Sequence, residues 1–479
     1  MDDSSHSPSR EINPPTMPVT RTGHLLGRLE RLPFTRMHLR VASLLGAGTL
    51  MDAVDGQIVA VALTTILSSL GAPMSAAGPL IAAGFAGQMV GAIGFGMMSE
   101  RLGRKTVYII SSAIFGSLSL AAAFAWNVES LAVIRFVQGI GLGAAVPVAA
   151  AMFNEFVSGR SRGRVVIIYE SLFNWGILLA SVLGFVFLAV FQAGVAWRYL
   201  LMIGALPVAT AVWAAFRLPE SPRYLLEHGR LDAAEAVVRE MEVSASRDIV
   251  AETSPSSTQV VVERAHIRRP THLGELFSPA YRGRTAHIAC IWLANYFALW
   301  GFTSFMPTLL AQAGFSRSLA SLLSGAFNVL GLVMLYIVAA TLDRWGRRFW
   351  FLAGHTLSVC GATLGAIVFV LLGSTNLPVL LLAGAAVMVG ANVNGNIAFV
   401  YTAELFPTRM RAWATMAGSS LRCLAAVIAP IVFGFFIARG GIGVGIAFAL
   451  SGLLLLTALV VVARFGIETR QRSLEELAS

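Results

Sequence analysis

Two carboxylates stand three residues apart inside an apolar stretch, LMDAVDGQIVAVAL, at positions 50–63. On a helix, side chains three residues apart project from nearby angles of one face, so Asp52 and Asp55 are expected to lie together. Close like charges in an apolar setting favour protonation of one of them, whereas a nearby cation favours the ionised form. The pair is therefore predicted to carry a proton. The alternative is that it only forms a salt bridge with Arg135 and holds helices together.

Three more charged residues stand inside apolar runs, where an ionisable side chain normally faces a protein interior or a watery cavity and has a function. Arg135 is expected to pair with the two aspartates and, in turn, to hold a ligand carboxylate through two parallel hydrogen bonds. Protonation of Asp52 or Asp55 would free Arg135 to bind the anion, and proton binding would so be coupled to anion binding. Arg422 is a further candidate for an anion contact. Glu170 is either a second proton site or the anchor of a helix end.

Polar and aromatic side chains in the same runs supply stacking surfaces and hydrogen bonds of the kind that a small aromatic ligand needs. The alternative for each of them is a hydrogen bond between neighbouring helices. Besides the two arginines, the residues predicted to bind the ligand are Trp175, Asn174, Asn295, Tyr296, Asn392 and Asn394.

The elements that position these residues are long apolar segments. Hydrophobic residues make up 56% of the 479 residues and charged residues only 13%, with a mean hydropathy of +0.73, which is typical of a membrane protein. A helix of about 20 residues crosses a hydrocarbon core, and these runs do not alternate between apolar and polar as barrel strands do. We predict an all-α membrane protein with twelve spans, at 39–67, 76–98, 106–126, 130–157, 164–190, 197–216, 285–311, 318–342, 349–373, 377–402, 412–438 and 441–465.

The net charge of +10 is distributed unevenly among the loops. Lys and Arg cluster in alternate loops, in the middle segment and in both terminal tails, while NVES and GSTNLP contain none. Positively charged loops are retained on the cytoplasmic side of a membrane. We therefore predict a multi-pass protein of a bacterial inner (plasma) membrane with both termini in the cytoplasm. The same distribution argues against a nucleic-acid partner.

A polar middle segment divides the spans into two groups of six. Within it, Leu231, Ala234, Val238 and Met241 recur at helical spacing, so a short amphipathic helix is expected on the cytoplasmic surface. The stretch SASRDIVAETSPSSTQ is typical of a flexible linker. The predicted domains are a tail at 1–38, a six-helix bundle at 39–216, the middle loop at 217–284, a second six-helix bundle at 285–465 and a tail at 466–479.

The two halves repeat one another. GMMSERLGRK begins at Gly96 and is matched by ATLDRWGRR from Ala340, while EFVSGRSR from Glu155 is matched by ELFPTRMR from Glu404. Parallel repeats of this kind occur in secondary transporters. The retention of positively charged loops in the cytoplasm explains the arginines of the repeated motifs, but it does not explain the acidic residues that recur beside them. We predict two cytoplasmic charge networks that form in one conformational state and break in the other: Glu100, Arg101, Arg104, Glu155 and Arg162 in one half, and Asp343, Arg344, Arg347, Glu404 and Arg411 in the other.

The first repeated pattern resembles the loop motif of the major facilitator superfamily, with Ala339 in place of a glycine in the second copy. Four further segments resemble the sugar-porter section of this superfamily: RFVQGIGLGAAVP, PESPRYLLEHGR, YTAELFPTRMRA and ETRQRSLEEL. The resemblance therefore covers essentially the whole chain. The glutamine pair of sugar porters is absent from ACIWLANYFALWGFTSFMP in span 7. Three other segments are similar instead to the transporters for niacin and to those that carry aromatic acids together with protons: MDAVDG, YESLFNWGILLA and SSLRCLAAVIAP. This resemblance implies two six-helix bundles related by pseudo-two-fold symmetry, and functional roles for Asp52, Asp55 and Arg135.

Together these features predict a secondary active transporter that carries a small organic anion, an aromatic or other monocarboxylate such as niacin, with a proton by alternating access. The alternatives are a sugar or polyol symporter with protons and a drug or metabolite antiporter. Since no phosphate-binding loop, metal-ligand spacing or nucleophile elbow appears, we expect no enzyme activity, no cofactor and no metal site. We expect a monomer in the lipid bilayer. Asp55→Asn is expected to abolish proton-driven uptake and to leave some exchange.

Overall fold

The regular structure is helical throughout the residues that the computed structural model describes, which are 21–157, 162–249, 273–371, 377–407 and 410–469. No β-strand occurs in these ranges, which confirms the predicted all-α class. Short 3-10 or π turns lie at Met74–Ala76, Leu273–Phe277 and Ile367–Leu371. The α-helices are α1 (Arg21–Arg31), α2 (Arg36–Ser69), α3 (Ala77–Leu102), α4 (Arg104–Ala122), α5 (Val128–Phe156), α6 (Arg162–Val190), α7 (Ala193–Ile203), α8 (Leu206–Arg217), α9 (Pro222–Glu227), α10 (Leu231–Ile249), α11 (Arg282–Gln312), α12 (Arg317–Trp345), α13 (Arg347–Ala366), α14 (Leu377–Leu405), α15 (Arg411–Ile437) and α16 (Gly441–Phe465).

Twelve segments of the described chain are helical, long and apolar enough to cross a membrane. They coincide with the twelve predicted spans, and the helix ends differ from the predicted ends by only a few residues. The sixth span is interrupted, because α7 ends at Ile203 and α8 begins at Leu206. Pro207 explains the interruption, since it has no N–H to donate to the carbonyl group of Ile203.

The spans form two bundles, α2–α8 and α11–α16, whose helix ends define two faces of the molecule. We call the face that contains Arg104 and Arg347 the basic face and the other the opposite face. Asn127 caps the start of α5 by accepting a hydrogen bond from the Ser130 N–H over 2.7 Å, as expected for an asparagine at a helix N-terminus.

The two bundles are in close contact at the opposite face. The first turn of α3 lies against the end of α15, where Gly78 and Gly434 bring the two backbones together. The α6–α12 contact carries a hydrogen bond in which the Ser321 hydroxyl donates to the Ser181 carbonyl over 2.7 Å. The second half of α2 shares one apolar core with the C-terminal bundle, whereas its first half belongs to a separate core at the basic face. The bundles are therefore sealed at the opposite face.

Glycines set the spacing between α3 and α5. A Cβ atom on Gly139 would lie 2.2 Å from the carbonyl oxygen of Gly84, and one on Gly143 would lie 2.1 Å from that of Gln88. Any side chain larger than hydrogen would push these helices apart. The N-terminal bundle is therefore held together by direct backbone contact at the position where α5 presents Arg135.

Helices α1 and α10 form a cap on the N-terminal bundle at the basic face. Leu25 and Leu29 of α1 are buried, and Arg28 donates two hydrogen bonds to the Glu242 carboxylate of α10, over 2.6 and 2.8 Å. The hydrogen bond from Arg28 lowers the pKa of Glu242 below its ordinary value. Arg21 reaches α10 as well. The cap thus joins the N-terminal part of the chain to the middle segment by charge and by apolar contact.

Two sequence predictions about this region need correction. The stretch 1–38 is more than a tail, because it contains α1 and the start of α2. The stretch predicted as a flexible linker begins as helix, since α10 extends to Ile249. The reason is that Ala245 continues the predicted apolar face of α10, where Ala234, Val238 and Met241 are fully buried, and tertiary packing outweighs the serine-rich composition. The rest of that stretch lies outside the described residues.

Candidate functional site

A cavity of about 230 Å³ lies between the two bundles near the middle of the spans. Helices α2, α3, α5 and α6 line it from the N-terminal bundle, and α11, α12, α14 and α15 line it from the C-terminal bundle. Among the described residues, its wall contains one carboxylate, one guanidinium, several aromatic rings and six side-chain amides, which belong to Gln57, Gln88, Asn174, Asn328, Asn392 and Asn396.

The aromatic part of the cavity wall is shared between the bundles. Trp300 of α11 packs between Phe85 of α3 and Phe173 of α6, with ring centroids 4.9 and 6.3 Å apart. Tyr296 and Phe399 line the same cavity. A flat ligand therefore meets rings from both bundles, and offset or edge contacts between rings stabilise such a complex.

Opposite charges face the cavity from different bundles. Asp52 of α2 is 9% exposed and accepts a hydrogen bond from the Gln88 amide over 3.4 Å. Arg422 of α15 lines the cavity from the other side and interacts electrostatically with Asp52. The cavity therefore offers a group that can take up a proton and a group that can hold an anion.

Asp55 lies one helical turn beyond Asp52 and is fully buried. Arg135 donates to its Oδ2 atom over 2.5 Å, and Gln138 and Ser119 donate to its Oδ1 atom over 3.0 and 3.2 Å. Arg135 also donates to the side-chain amide oxygen (Oε1) of Gln138 over 2.9 Å. These four residues form a closed hydrogen-bond network that joins α2, α4 and α5.

The structure brings the predicted pair together, but the two acids have different surroundings. Asp52 faces the cavity, while Asp55 and Arg135 lie behind its wall. The guanidinium of Arg135 lies over Gly84, where a Cβ would be 3.3 Å from Nη2. The sequence predicted that Arg135 pairs with both aspartates and in turn holds the ligand. The geometry separates them into a cavity acid and a buried ion pair.

The other predicted ligand-binding residues divide in the same way. Four of them line the cavity, namely Asn174, Tyr296, Asn392 and Arg422. Asn295 and Asn394 do not, since both are fully buried inside the C-terminal bundle. Asn295 donates to the Ala391 carbonyl over 3.0 Å, which is the alternative of a hydrogen bond between helices.

Trp175 also lies outside the cavity, with 45% of its surface exposed. It follows Asn174 directly, and one residue on an α-helix turns the side chain by about 100°. Phe173, which precedes Asn174, lines the cavity instead, together with Trp300. The prediction of an aromatic contact from this part of α6 was therefore two positions away from the residue that the structure places there.

Sequence reasoning missed three amides of the cavity wall, Gln57, Asn328 and Asn396, and three polar partners of the aspartates. Gln88, Gln138 and Ser119 each bond to one of the two aspartates. Gln138 had a detectable signal, because it lies three residues after Arg135 and so on the same helix face. Ser119 had none, since serines are common in transmembrane helices and its partner comes from a distant part of the chain.

A charge network lies at the basic face of the N-terminal bundle. Arg104, at the start of α4, donates to Glu155 at the end of α5 over 3.4 Å. Glu220, which follows α8, accepts hydrogen bonds from the backbone N–H groups of Arg104 and Lys105, each over 3.1 Å. It approaches closely because Gly103 precedes α4 with φ +94° and has no Cβ to block the carboxylate.

The C-terminal bundle repeats this network. Arg347, at the start of α13, donates two hydrogen bonds to Glu404 over 2.7 and 2.9 Å and one to Asp343 over 2.9 Å. Glu468, which follows α16, accepts from the backbone N–H groups of Arg347 and Arg348, each over 3.0 Å. Among the contacts that the structure describes, each network connects helices of one bundle, and in each a glutamate after the last span caps the third span.

The remaining members predicted for these networks are placed as follows. Glu100, Arg101 and Arg344 have exposed side chains at the basic face. The side chains of Arg162, Glu170 and Arg411 lie outside those that the structure describes, although their backbones are helical. The alternatives for Glu170, a proton site or a helix anchor, therefore stay open predictions.

Comparison with known proteins agrees with this architecture. The family model described as sugar (and other) transporters matches residues 57–479. The niacin transporter NiaP of Acinetobacter baylyi is 27% identical over 457 residues, which cover 95% of this chain and 99% of the relative. The 4-hydroxybenzoate transporter PcaK of Pseudomonas aeruginosa is 27% identical over 417 residues, which cover 84% of this chain and 86% of the relative.

Among solved structures, the partially occluded inward-open conformation of the xylose transporter XylE from E. coli is similar, with a TM-score of 0.70 and 16% identity. The match covers 90% of this chain and 100% of that chain, and it shows that the twelve spans have the major facilitator fold. The chain is therefore a multi-pass membrane transporter rather than an enzyme, and it belongs to the sugar (and other) transporter family of the major facilitator superfamily.

Proposed function

We propose that this transporter is a proton symporter for a small organic anion, an aromatic or other monocarboxylate of the niacin type. The observation that carries the proposal is the pair formed by Asp52 and Arg422, which face one cavity from different bundles. A carboxylate ligand is held best by a guanidinium, and a proton is held by a carboxylate. One cavity thus has a partner for each of the two transported species.

The size and the walls of the cavity support a single-ring ligand. Ligand pockets for drug-sized molecules are about 300–1,000 Å³, and this cavity is smaller, at about 230 Å³. Trp300, Phe85 and Phe173 provide ring contacts. The names of the relatives, which are transporters for niacin and 4-hydroxybenzoate, describe ligands of this class.

In this proposal the two acids of α2 act in sequence. Asp52 takes up the proton from the cavity, and its charge interacts with that of Asp55 one turn away. Arg422 holds the ligand carboxylate. Arg135, which we first expected to alternate between the acids and the ligand, keeps Asp55 and helices α2 and α5 in place.

We also propose an orientation and a cycle. Since basic loops stay in the cytoplasm, the basic face is cytoplasmic and the sealed opposite face is external, in a monomer of a bacterial inner membrane. The bundles, which we assign to 39–216 and 285–465 with the middle loop between them, rock about the central cavity. In this proposal the Arg104 and Arg347 networks form in one state and break in the other as the basic face opens and closes.

A second candidate is a symporter for a sugar or polyol. The six side-chain amides of the cavity favour it, because neutral hydroxyl groups bond well to amides. The two candidates differ in the charge of the ligand, and Arg422 is the residue that distinguishes them. An antiporter for drugs or metabolites is a third candidate. For an antiporter, an acidic outside would oppose uptake of the ligand.

The experiment is uptake into proteoliposomes under an imposed pH gradient. Labelled niacin and 4-hydroxybenzoate are compared with xylose and glucose, with the outside acidic, neutral or alkaline. The proposal predicts that external acid stimulates uptake of the two acids and that the sugars are not carried. Uptake of a hexose in preference to both acids would favour the second candidate, and inhibition by external acid would favour antiport.

A further inference from the structure

We propose that Ser119 is a positioning residue that allows Asp55 to exist both with and without a proton, an inference that rests on the proposed proton coupling. Every described partner of the Asp55 carboxylate is a donor: Arg135 on Oδ2, and Gln138 and Ser119 on Oδ1. This arrangement suits an ionised carboxylate. A protonated Asp55 needs an acceptor for its O–H, so one of the three partners has to reverse its role.

Two of the partners are unable to reverse. A guanidinium has no acceptor atom, so Arg135 always donates. Gln138 would have to turn its amide, but its carbonyl oxygen already accepts from Arg135 over 2.9 Å. Turning the amide would place an NH₂ group against the guanidinium. Only the hydroxyl of Ser119, which both donates and accepts, is left.

Ser119 has a second place for its proton. Its Oγ atom lies 3.2 Å from Asp55 Oδ1 and 2.9 Å from the carbonyl oxygen of Leu201. A hydroxyl has one proton and serves one of these acceptors at a time. When Asp55 is ionised, Ser119 donates to it. When Asp55 is protonated, Ser119 donates to Leu201 and accepts the O–H of Asp55, so the proton on Oδ1 is hydrogen-bonded in a buried site.

The break in the sixth span changes the backbone partner of the Leu201 carbonyl. In an uninterrupted helix this carbonyl would accept from the N–H of Ala205, but that N–H donates to Met202 over 3.0 Å. Leu201 accepts from the Gly204 N–H over 3.0 Å and keeps a second lone pair for Ser119. A Cβ on Gly204 would lie only 2.0 Å from Ser119 Oγ, so the glycine at this position leaves room for the hydroxyl.

The test separates proton-driven uptake from exchange. Uptake driven by a pH gradient needs both protonation states, whereas exchange of labelled for unlabelled 4-hydroxybenzoate at equal pH needs only one. For Ser119→Ala we expect driven uptake to fall about tenfold, as expected for a buried O–H left without an acceptor, and exchange to stay within about twofold of wild type. Ser119→Thr keeps the hydroxyl and is expected to restore driven uptake. The matched control is Ser111→Ala, because Ser111 is buried in the same helix and its one described hydrogen bond is to the Tyr108 carbonyl of that helix, over 3.1 Å.

A second variant reaches the same atom from the other side. Gly204→Ala displaces the Ser119 hydroxyl and is expected to reproduce the loss of driven uptake. The inference is overturned if Ser119→Ala keeps the wild-type ratio of driven uptake to exchange across pH 5–8, or if uptake and exchange fall together and Ser119→Thr does not rescue them. Failure of the proposed function is recognisable separately, because wild-type uptake would then not respond to the pH gradient at all.

Discussion

Asn392 of the C-terminal bundle donates a hydrogen bond to Asn174 of the N-terminal bundle across the central cavity, over 3.3 Å. Asn396 supports it by donating to the side-chain oxygen of Asn392 over 3.0 Å. Because Asn174 and Asn392 belong to different bundles, their bond breaks when the bundles move apart. Both also line the cavity, so a polar group on the ligand competes for the same atoms.

Removal of the Asn392 side chain is expected to weaken ligand binding, because the ligand then loses a hydrogen-bond partner in the cavity. An ordinary hydrogen bond contributes about 1 kcal/mol, so Asn392→Ala should raise the Kd for 4-hydroxybenzoate about fivefold. The measurement is binding to purified protein by isothermal calorimetry. In the double variant with Asn174→Ala the second substitution should add little, since it removes the other half of the same contact. Full additivity would show that the two residues act independently.

The two aspartates are expected to respond differently to substitution. Asp52→Asn should remove the pH dependence of uptake and leave exchange, because Asn392 and Arg422 still bind the ligand. Asp55→Asn leaves the guanidinium of Arg135 buried without its carboxylate, which costs about 3–5 kcal/mol in comparable cases. We therefore expect a lower Tm for Asp55→Asn, measured by nano-differential scanning fluorimetry. Equal Tm values for the two variants would contradict the distinction between a cavity acid and a buried ion pair.

Arg422 is expected to select for negative charge. Arg422→Gln should lower the affinity for niacin roughly 10–100-fold, since hydrogen bonds to charged groups contribute about 1.5–3 kcal/mol. Binding of the neutral amide of niacin should change much less. Competition between the two compounds for uptake into proteoliposomes measures this selectivity. Arg422→Lys, which keeps the charge but not the planar fork, is the control for charge alone.

Glu468 and Glu220 are expected to stabilise the two bundles in the same way. Each carboxylate accepts two backbone N–H groups at the start of a helix, and loss of such a cap costs about 1 kcal/mol. Glu468→Ala and Glu220→Ala should each lower the Tm, while Glu→Gln, which keeps an acceptor oxygen, should lower it less. Transport rates of the same variants report whether the cap also controls the movement of the basic face.

The contact between α1 and α10 is expected to depend on pH and salt. Hydrogen bonds from Arg28 and Arg21 lower the pKa values of Glu242 and Glu235 below their ordinary value of 4.5. Their stabilisation is therefore complete above about pH 4.5 and is lost as the pH falls through the lowered values. Hydrogen exchange of the α1 peptide should rise in that acid range after correction for intrinsic rates. It should also rise with salt, because the pairs are partly exposed.

The number, type and order of the spans followed from the sequence, because a membrane requires long apolar helices and leaves few alternatives. The proximity of Asp52 and Asp55 and the pairing of Arg104 with Glu155 also followed, since spacing on one helix and repetition between halves are local signals. The interruption at Gly204 did not follow from hydropathy, which does not register a proline within an apolar run. It is visible only through Pro207.

The sequence did not indicate which of the predicted residues line the cavity and which are buried inside a bundle. Whether Asn295 or Asn392 lines the cavity depends on the rotation of each helix, which is set by contacts with distant helices. The same holds for Trp175 and Phe173, two aromatic residues two positions apart. The N-terminal helix α1 was missed because it is short and polar, and its stability comes from α10 rather than from its own sequence.

The opposite charges of Asp52 and Arg422 have a consequence for energetics. A site that holds one of each is electrically neutral when empty, and addition of one proton and one monovalent anion leaves it neutral. Membrane voltage acts only on net charge that moves through the field. If one proton and one anion are carried together, as we propose, we therefore expect accumulation to follow the difference in acidity between the two compartments and not the electrical potential of the cell.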